Sequence, residues 1–419
     1  MDALDADRPT VMSIPLAPHS RARAGLVLTG GGARSAYQVG VMRAVADLLP
    51  RSAPTPFHVL TGTSAGAIVA TCIAANADHF RSGVVTLERV WRNFHVEHVF
   101  RADAMSMLRA GLRWTAAVLS VGRLASTPDS LFDNSPLRAL LERKIDFGRM
   151  RAALQAGHLE SLAISAAGYS SARSFAFYES RRQPMMSSAA WAPGVATELG
   201  HDHLMASSAV PFLFPPVRMH GEHFGDGAMR QVAPLSPAIH LGADRLFVVG
   251  IRGHRPSPSV PGNSGPAESS GDAARAPSFG RLFGFMLDTL FMDSLHASVA
   301  QLERVNRLVA QAPAPNPDGL RHIESLVILP SADLGAIAVR HARRAPRTLR
   351  AVLRIMGATN GEGSELLSYL LFESGYTREL IALGYVDTMA RRDEVTAFIE
   401  SAVRAGPGAG DLESSLRRA

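Results

Sequence analysis

Short apolar runs alternate along this chain with longer stretches whose apolar residues recur at helical spacing. Residues 24–29 (AGLVLT) predict a buried strand that runs into Gly30, Gly31, Gly32, Ala33 and Arg34. A helix follows, with Tyr37, Val41, Ala44, Val45, Leu48 and Leu49 on one face. Phe57, Val59 and Leu60 predict a second strand, residues 62–66 a tight turn, and Ala67 onward a helix of small apolar residues to about Asn76. Further helices are predicted over 90–100, in a Met/Leu/Trp-bearing stretch to about Val121, and from Ser135 as cap with Pro136 in the first turn. Residues 162–167 and 175–178 predict strands, followed by a strand at 222–224, a helix at 235–241 and a strand at 246–250. Residues 279–311, 366–371 and 395–403 predict helices, and 326–329 a strand. Strands that alternate with helices predict an α/β fold: a mostly parallel central sheet flanked by helices, with a largely helical C-terminal region.

Composition divides the 419 residues. A proline-broken acidic leader (1–21) precedes a first folded domain (22–253), and a Pro/Ser/Gly-rich linker (254–278) leads to a mainly helical region (279–404) and a polar tail (405–419). The formal charge is +6, carried almost wholly by arginine, with Lys144 the only lysine. No run is basic enough for a nucleic-acid arm, so nucleic acid is not expected as a partner. Cys72 is the only cysteine, which excludes an internal disulfide and a thiolate zinc site and reads as a small buried hydrophobe. The leader has no positive segment leading into an apolar core, and no stretch has the roughly 18 apolar residues of a spanning helix. The expected location is cytoplasmic. Arg340, Arg343, Arg344, Arg347, Arg350 and Arg354 lie among alanine and leucine in 338–356, a pattern that suits either a face resting on an anionic membrane or an ordinary solvated helix.

Chemistry concentrates in three places. Gly62-Thr63-Ser64-Ala65-Gly66 sits between strand and helix, where a serine at the apex of a strained turn projects its hydroxyl and the helix N-terminus favours a developing oxyanion. The same residues also suit an ordinary turn whose serine caps the helix. The consecutive glycines after the first strand aim several N–H groups at one point. A dinucleotide fingerprint would need glycine where Ser35 stands, whereas an oxyanion hole needs only two convergent amides, and a right-handed crossover brings both strand ends to one edge. The third place is Gly225-Asp226-Gly227-Ala228, in which Asp226-Gly227 alone would suit a hairpin turn. Before it, the proline-punctuated apolar stretch 210–217 suits the wall of a greasy pocket. His240, His254 and His296 are candidate bases for a Ser-His-Asp esterase. The pairs His201 with His203 and His220 with His223 lack the spacing of a metal site.

Taken in order, the glycine loop, the Gly62-x-Ser64-x-Gly66 elbow and the Asp226-Gly227-Ala228 motif resemble the patatin-like phospholipase family over roughly residues 22–250. The resemblance implies a three-layer sandwich and a serine acyl hydrolase of lipid esters, of phospholipase A or lysophospholipase type, that needs no metal or cofactor. It makes Ser64 the nucleophile, Asp226 the general base, and Gly30, Gly31 and Gly32 the oxyanion hole, with Ala33 and Arg34 adjacent. Ser35 departs from the glycine usual at the end of that loop. A non-catalytic lipid-binding scaffold with the same fold is the alternative outside enzymology.

Overall fold

The computed structural model describes residues 23–101, 103, 105, 130–182, 193–252, 279–289, 294–311, 320–355 and 364–404. The expectations for the leader, the stretch to Val121, the linker, His254 and the tail lie wholly or mostly outside these residues. In chain order come β1 (Ala24–Leu28), α1 (Ala36–Asp47), β2 (Val59–Thr63), α2 (Ala65–Ala74), α3 (Phe80–Arg92), α4 (Ser135–Lys144) and α5 (Phe147–Ala156). Next are β3 (Ser161–Gly168), β4 (Ser174–Ser180), β5 (Gly194–Ala196), α6 (His201–Ser207), β6 (Val217–Met219), β7 (Glu222–Asp226), α7 (Ser236–His240) and β8 (Arg245–Val249). The C-terminal region adds α8 (Phe279–Asp288), α9 (Ser294–Gln311), β9 (Glu324–Ile328), α10 (Leu334–His341), α11 (Arg347–Ile355), α12 (Ser364–Leu370), α13 (Ser374–Ala390) and α14 (Arg392–Arg404).

All the described strands join one sheet, ordered β5-β4-β3-β2-β1-β8-β9, with β7 also on β3 and β6 on β7. The run β3-β2-β1-β8-β9 is parallel throughout. Side chains alternate across it, as a sheet covered on both faces requires. Leu26, Leu28, Leu60, Ile164, Phe247 and Val249 face the larger core shared with α1, α2 and α3. Val27, Val59, Ala163, Leu246 and Val248 face a smaller core with Leu235 and Ala238 near α7 and Leu295 and Leu302 of α9. This is the mostly parallel, three-layer α/β architecture expected.

Three local expectations change. The helix expected over 90–100 ends at Arg92, and a 3-10 turn covers Val96–His98. Glu373 draws the chain out there, accepting from Val96 N at 3.4 Å and lying 3.2 Å from His95 Nδ1. Ser135 is the first residue of α4 rather than its cap, and its N–H donates to Asp133 Oδ1 at 2.8 Å. The hairpin turn is not Asp226-Gly227 but His220-Gly221, between β6 and β7. Both residues have positive φ (47° and 87°), the signature of the tight primed turn that matches strand twist.

The C-terminal region is built into this fold. β9 extends the sheet beyond β8. Helix α13 crosses α1 so closely that a Cβ at Gly40 would lie 2.0 Å from Ile381 O, and one at Gly384 2.2 Å from Tyr37 O. Tyr37 Oη also donates to Asp387 Oδ2 at 3.0 Å. Gly40→Ala, by forcing these helices apart, is expected to cost about 1–3 kcal/mol. A clear fall in the urea midpoint of unfolding is the expected reading; an unchanged midpoint would mean that the crossing relaxes freely.

Candidate active site

Strand β3 assembles the site through its register. Its first part pairs with β2, ending at Thr63 opposite Ser165; its last part pairs with β7, with Asp226 opposite Ala166. Since β4 occupies the other edge over the same length, β2 and β7 meet end to end on one edge of β3. Ser64, the residue after Thr63, is thereby brought against Asp226 although the two are far apart in sequence. Gln231 locks the junction: it accepts from Thr63 Oγ1 at 2.7 Å and donates to Ser165 Oγ at 2.8 Å.

Ser64 stands in a strained conformation, φ 54° and ψ −131°, that a non-glycine residue adopts only when its surroundings impose it. Two glycines impose it. A Cβ at Gly62 would sit 2.5 Å from Ala67 Cα, and one at Gly66 would sit 2.5 Å from Leu28 O and Thr29 O. Only bare backbone lets strand, turn and helix approach so closely. Ser64 N–H donates to Ser207 Oγ at 2.8 Å, which pins the turn to the end of α6. Ser64 is 3% exposed and Asp226 1%, so both are buried.

Asp226 Oδ1 accepts from Ala228 N at 3.0 Å, while Oδ2 is buried without a hydrogen-bond partner. Burial pushes its carboxyl up to about 7, against the opposing pull of the Ala228 N–H and the Ser64 hydroxyl. The Ser64 hydroxyl is thus close enough to the carboxylate to oppose that rise.

The glycine loop approaches from the end of β1. Gly32 (φ +53°) opens a 3-10 turn, Gly32–Ser35, that leads into α1, and the first N–H groups of such a turn have no partner within it. Gly32 and Ser64 line one cavity. Arg34 turns away from it and is buried, its Nε donating to Ser368 Oγ at 2.6 Å and its guanidinium lying 4.2 Å from the Tyr369 ring centroid. A Cβ at Gly32 would meet Tyr369 O at 2.4 Å, so α12 covers the loop directly.

The cavity is apolar. It encloses about 1100 Å³ of space, open mouth included. Val210, Leu213 and Phe214 form part of its wall, as the proline-punctuated stretch suggested. Cys72 packs against the larger core and also lines the cavity, and burial pushes its thiol up to about 12. No histidine is among the lining residues. His240 contacts Ser236 at 3.1 Å, and His296 is exposed on α9. His203 packs on Phe177 and His220, and burial lowers its imidazole to about 4. His201 lies edge-on to Phe147. Among the described residues no cluster of three or more His, Cys, Asp or Glu could hold a metal.

Ser207, Gln231, Ser368 and Tyr369 carried no role in the sequence reading. Nothing local in the sequence marks them.

The patatin-like phospholipase profile matches residues 26–239, half of the chain. The chain belongs to the patatin-like phospholipase family. Membership makes it a lipid acyl hydrolase by class. Among solved structures it is similar to VipD from Legionella pneumophila, at 13% identity over 89% of this chain and 67% of that one, with a TM-score of 0.32. None of the curated proteins compared matches it. Elbow, glycine loop and Asp226 all fall inside the patatin-like segment, whereas β8, β9 and α12 lie beyond it. Among the described residues no helix is long and apolar enough to cross a membrane.

The raised carboxyl of Asp226 fixes the sign of the pH dependence of stability. Between the ordinary carboxylate range and about pH 7 the folded protein holds a proton that the unfolded chain has released, so stability falls as pH rises through that window. Asp226→Asn is therefore expected to unfold at higher denaturant than wild type at pH 8, with the gap closing towards pH 4. A gap independent of pH would contradict the raised value.

Proposed function

We propose that the protein is a serine acyl hydrolase that cleaves fatty-acyl esters of lipids with a Ser64–Asp226 dyad and a glycine-loop oxyanion hole. The observation that supports this reading is the end-to-end meeting of β2 and β7 on β3, with a strained serine directly after the end of one strand and a buried carboxyl at the end of the other.

In this mechanism Ser64 Oγ attacks the ester carbonyl carbon while its proton passes to Asp226 Oδ2. N–H groups of the glycine loop, Gly30 to Gly32, hold the tetrahedral oxyanion, a contribution of several kcal/mol in a water-poor site. The bond to the alcohol oxygen breaks as Asp226 returns the proton to it. Water then attacks the acyl carbon and gives its proton to Asp226; the bond from that carbon to Ser64 Oγ breaks, Asp226 returns the proton to Oγ, and the fatty acid leaves. A carboxylate near pKa 4 is a weak base for such a step, and burial of Asp226 moves it towards neutrality. Phospholipids and lysophospholipids are the proposed substrates, since the apolar cavity suits an acyl chain. A histidine-based triad finds less support, since His240 is turned to Ser236 and His296 is exposed on α9.

The proposed location is cytoplasmic with peripheral contact at an anionic inner membrane. The exposed arginines Arg343, Arg344, Arg347 and Arg354 support it, although α10 and α11 break at Ala345-Pro346 and Arg340 is bound by Glu379.

Hydrolysis of a lysophospholipid by wild type, Ser64→Ala, Asp226→Asn, His240→Ala and His296→Ala tests the assignment. The dyad variants are expected to lose about 10³-fold or more in kcat, and both histidine variants to retain activity. An active Asp226→Asn beside a dead histidine variant would reject the dyad. Wild-type kcat/KM is expected to rise towards a plateau above about pH 7, as Asp226 becomes a free base. A profile falling through neutrality would contradict that role.

A further inference from the structure

The cavity has a direction. Its lining includes Ser64, Ile68, Cys72 and Asn76, four positions spaced by four residues along and just beyond α2. Such positions stay near one face of a helix and advance about 6 Å per step, so the wall runs about 18 Å from the nucleophile. Helix α3 passes this wall in the opposite sense. Gly83, near its start, is in contact with Asn76, where an added Cβ would lie 2.4 Å from the Asn76 Cβ. Phe94, just past its end, meets Phe372 at 5.8 Å beside the α12 residues that cover Gly32.

Chemistry changes along this axis. The middle is hydrocarbon and sulfur: Ile68, Leu87, Val90, Leu141 and Cys72. The far end is polar and opens at the surface, where Thr86 and Lys144 are exposed. Asn76 lies there too, with its Nδ2 committed to Cys72 O at 2.8 Å.

Building on the acyl-hydrolase reading, we infer that α2 acts as a ruler for the acyl chain: the tail of the ester held at Ser64 lies along Ile68 and Cys72, and its preferred length is set by the polar end at Asn76. An extended hydrocarbon advances roughly 1.3 Å per carbon, so the channel holds about 14 carbons, with the Cys72 level at about nine and the Ile68 level at about four or five. Longer tails must pass Thr86 and Lys144 into solvent and gain no further apolar contact.

A chain-length series of p-nitrophenyl esters from butyrate to stearate tests the ruler, read as ratios of kcat/KM within each protein. Wild type is expected to gain with length up to about 14 carbons and then level off. Cys72→Trp is expected to lower the laurate-to-butyrate ratio at least tenfold with little change in octanoate-to-butyrate, and Ile68→Trp to lower both. If a tryptophan variant does not fold, methyl methanethiosulfonate on the folded wild type adds a thiomethyl group at the only cysteine, and the laurate-to-butyrate ratio is expected to fall in the same direction. Ratios that match untreated wild type after modification overturn the ruler, as does a block that follows the length of the alcohol rather than of the acid. Wild type hydrolysing none of the esters would instead overturn the acyl-hydrolase reading itself.

Discussion

The site depends on one backbone constraint, the sharing of a single edge of β3 by two strands that arrive from opposite directions. Thr63 takes the place beside Ser165 and Asp226 the place beside Ala166, so one step of register separates a serine from a carboxylate. Backbone ladders are stiff, and a slip of one residue would turn every side chain of the slipped strand to the other face. The tight turn at His220-Gly221 fixes β7 against β6, and the Gln231 bridge between Thr63 and Ser165 closes the remaining freedom. Precision in the proposed dyad is thus a property of the sheet.

That constraint carries a cost. A carboxylate buried beside Ala228 N–H with one oxygen unpartnered, and a serine forced to positive φ, both oppose folding. The surrounding structure must over-determine them, and much of it comes from beyond the patatin-like segment. β8 and β9 complete the parallel sheet on which the elbow rests, α13 crosses α1 at backbone contact, and α12 presses on Gly32 while Ser368 and Tyr369 hold Arg34. The C-terminal region is therefore part of the site's scaffold and supplies Tyr369, Leu370 and Phe372 to the cavity wall.

How much of this could be read from the residues depended on range. The elbow was legible because its requirements are local: an apolar strand, two glycines around a serine, and a helix of small residues, which the clashes awaiting a Cβ at Gly62 and Gly66 explain. The buried strands were legible for the same reason, since each is a short, continuous apolar run. The proposed pairing of Ser64 with Asp226 was implied only by family resemblance, because no local pattern encodes the register of β3. Asp226-Gly227 carried a hairpin signal, but pairing with β3 kept Asp226 in a strand and the turn formed at His220-Gly221. The helix ending at Arg92, where Glu373 captures the following residues, and the covering of Gly32 by α12 were illegible, for they are contacts between distant parts of the chain.

The most direct test of the account is chemical trapping of the nucleophile. Folded protein treated with an alkyl fluorophosphonate and digested is expected to carry one phosphonate, on the peptide containing Ser64. That label should vanish in Ser64→Ala and form far more slowly in Asp226→Asn. A protein that hydrolyses lipid esters while its label sits on another residue, or labels at the wild-type rate without the Asp226 carboxylate, would contradict it.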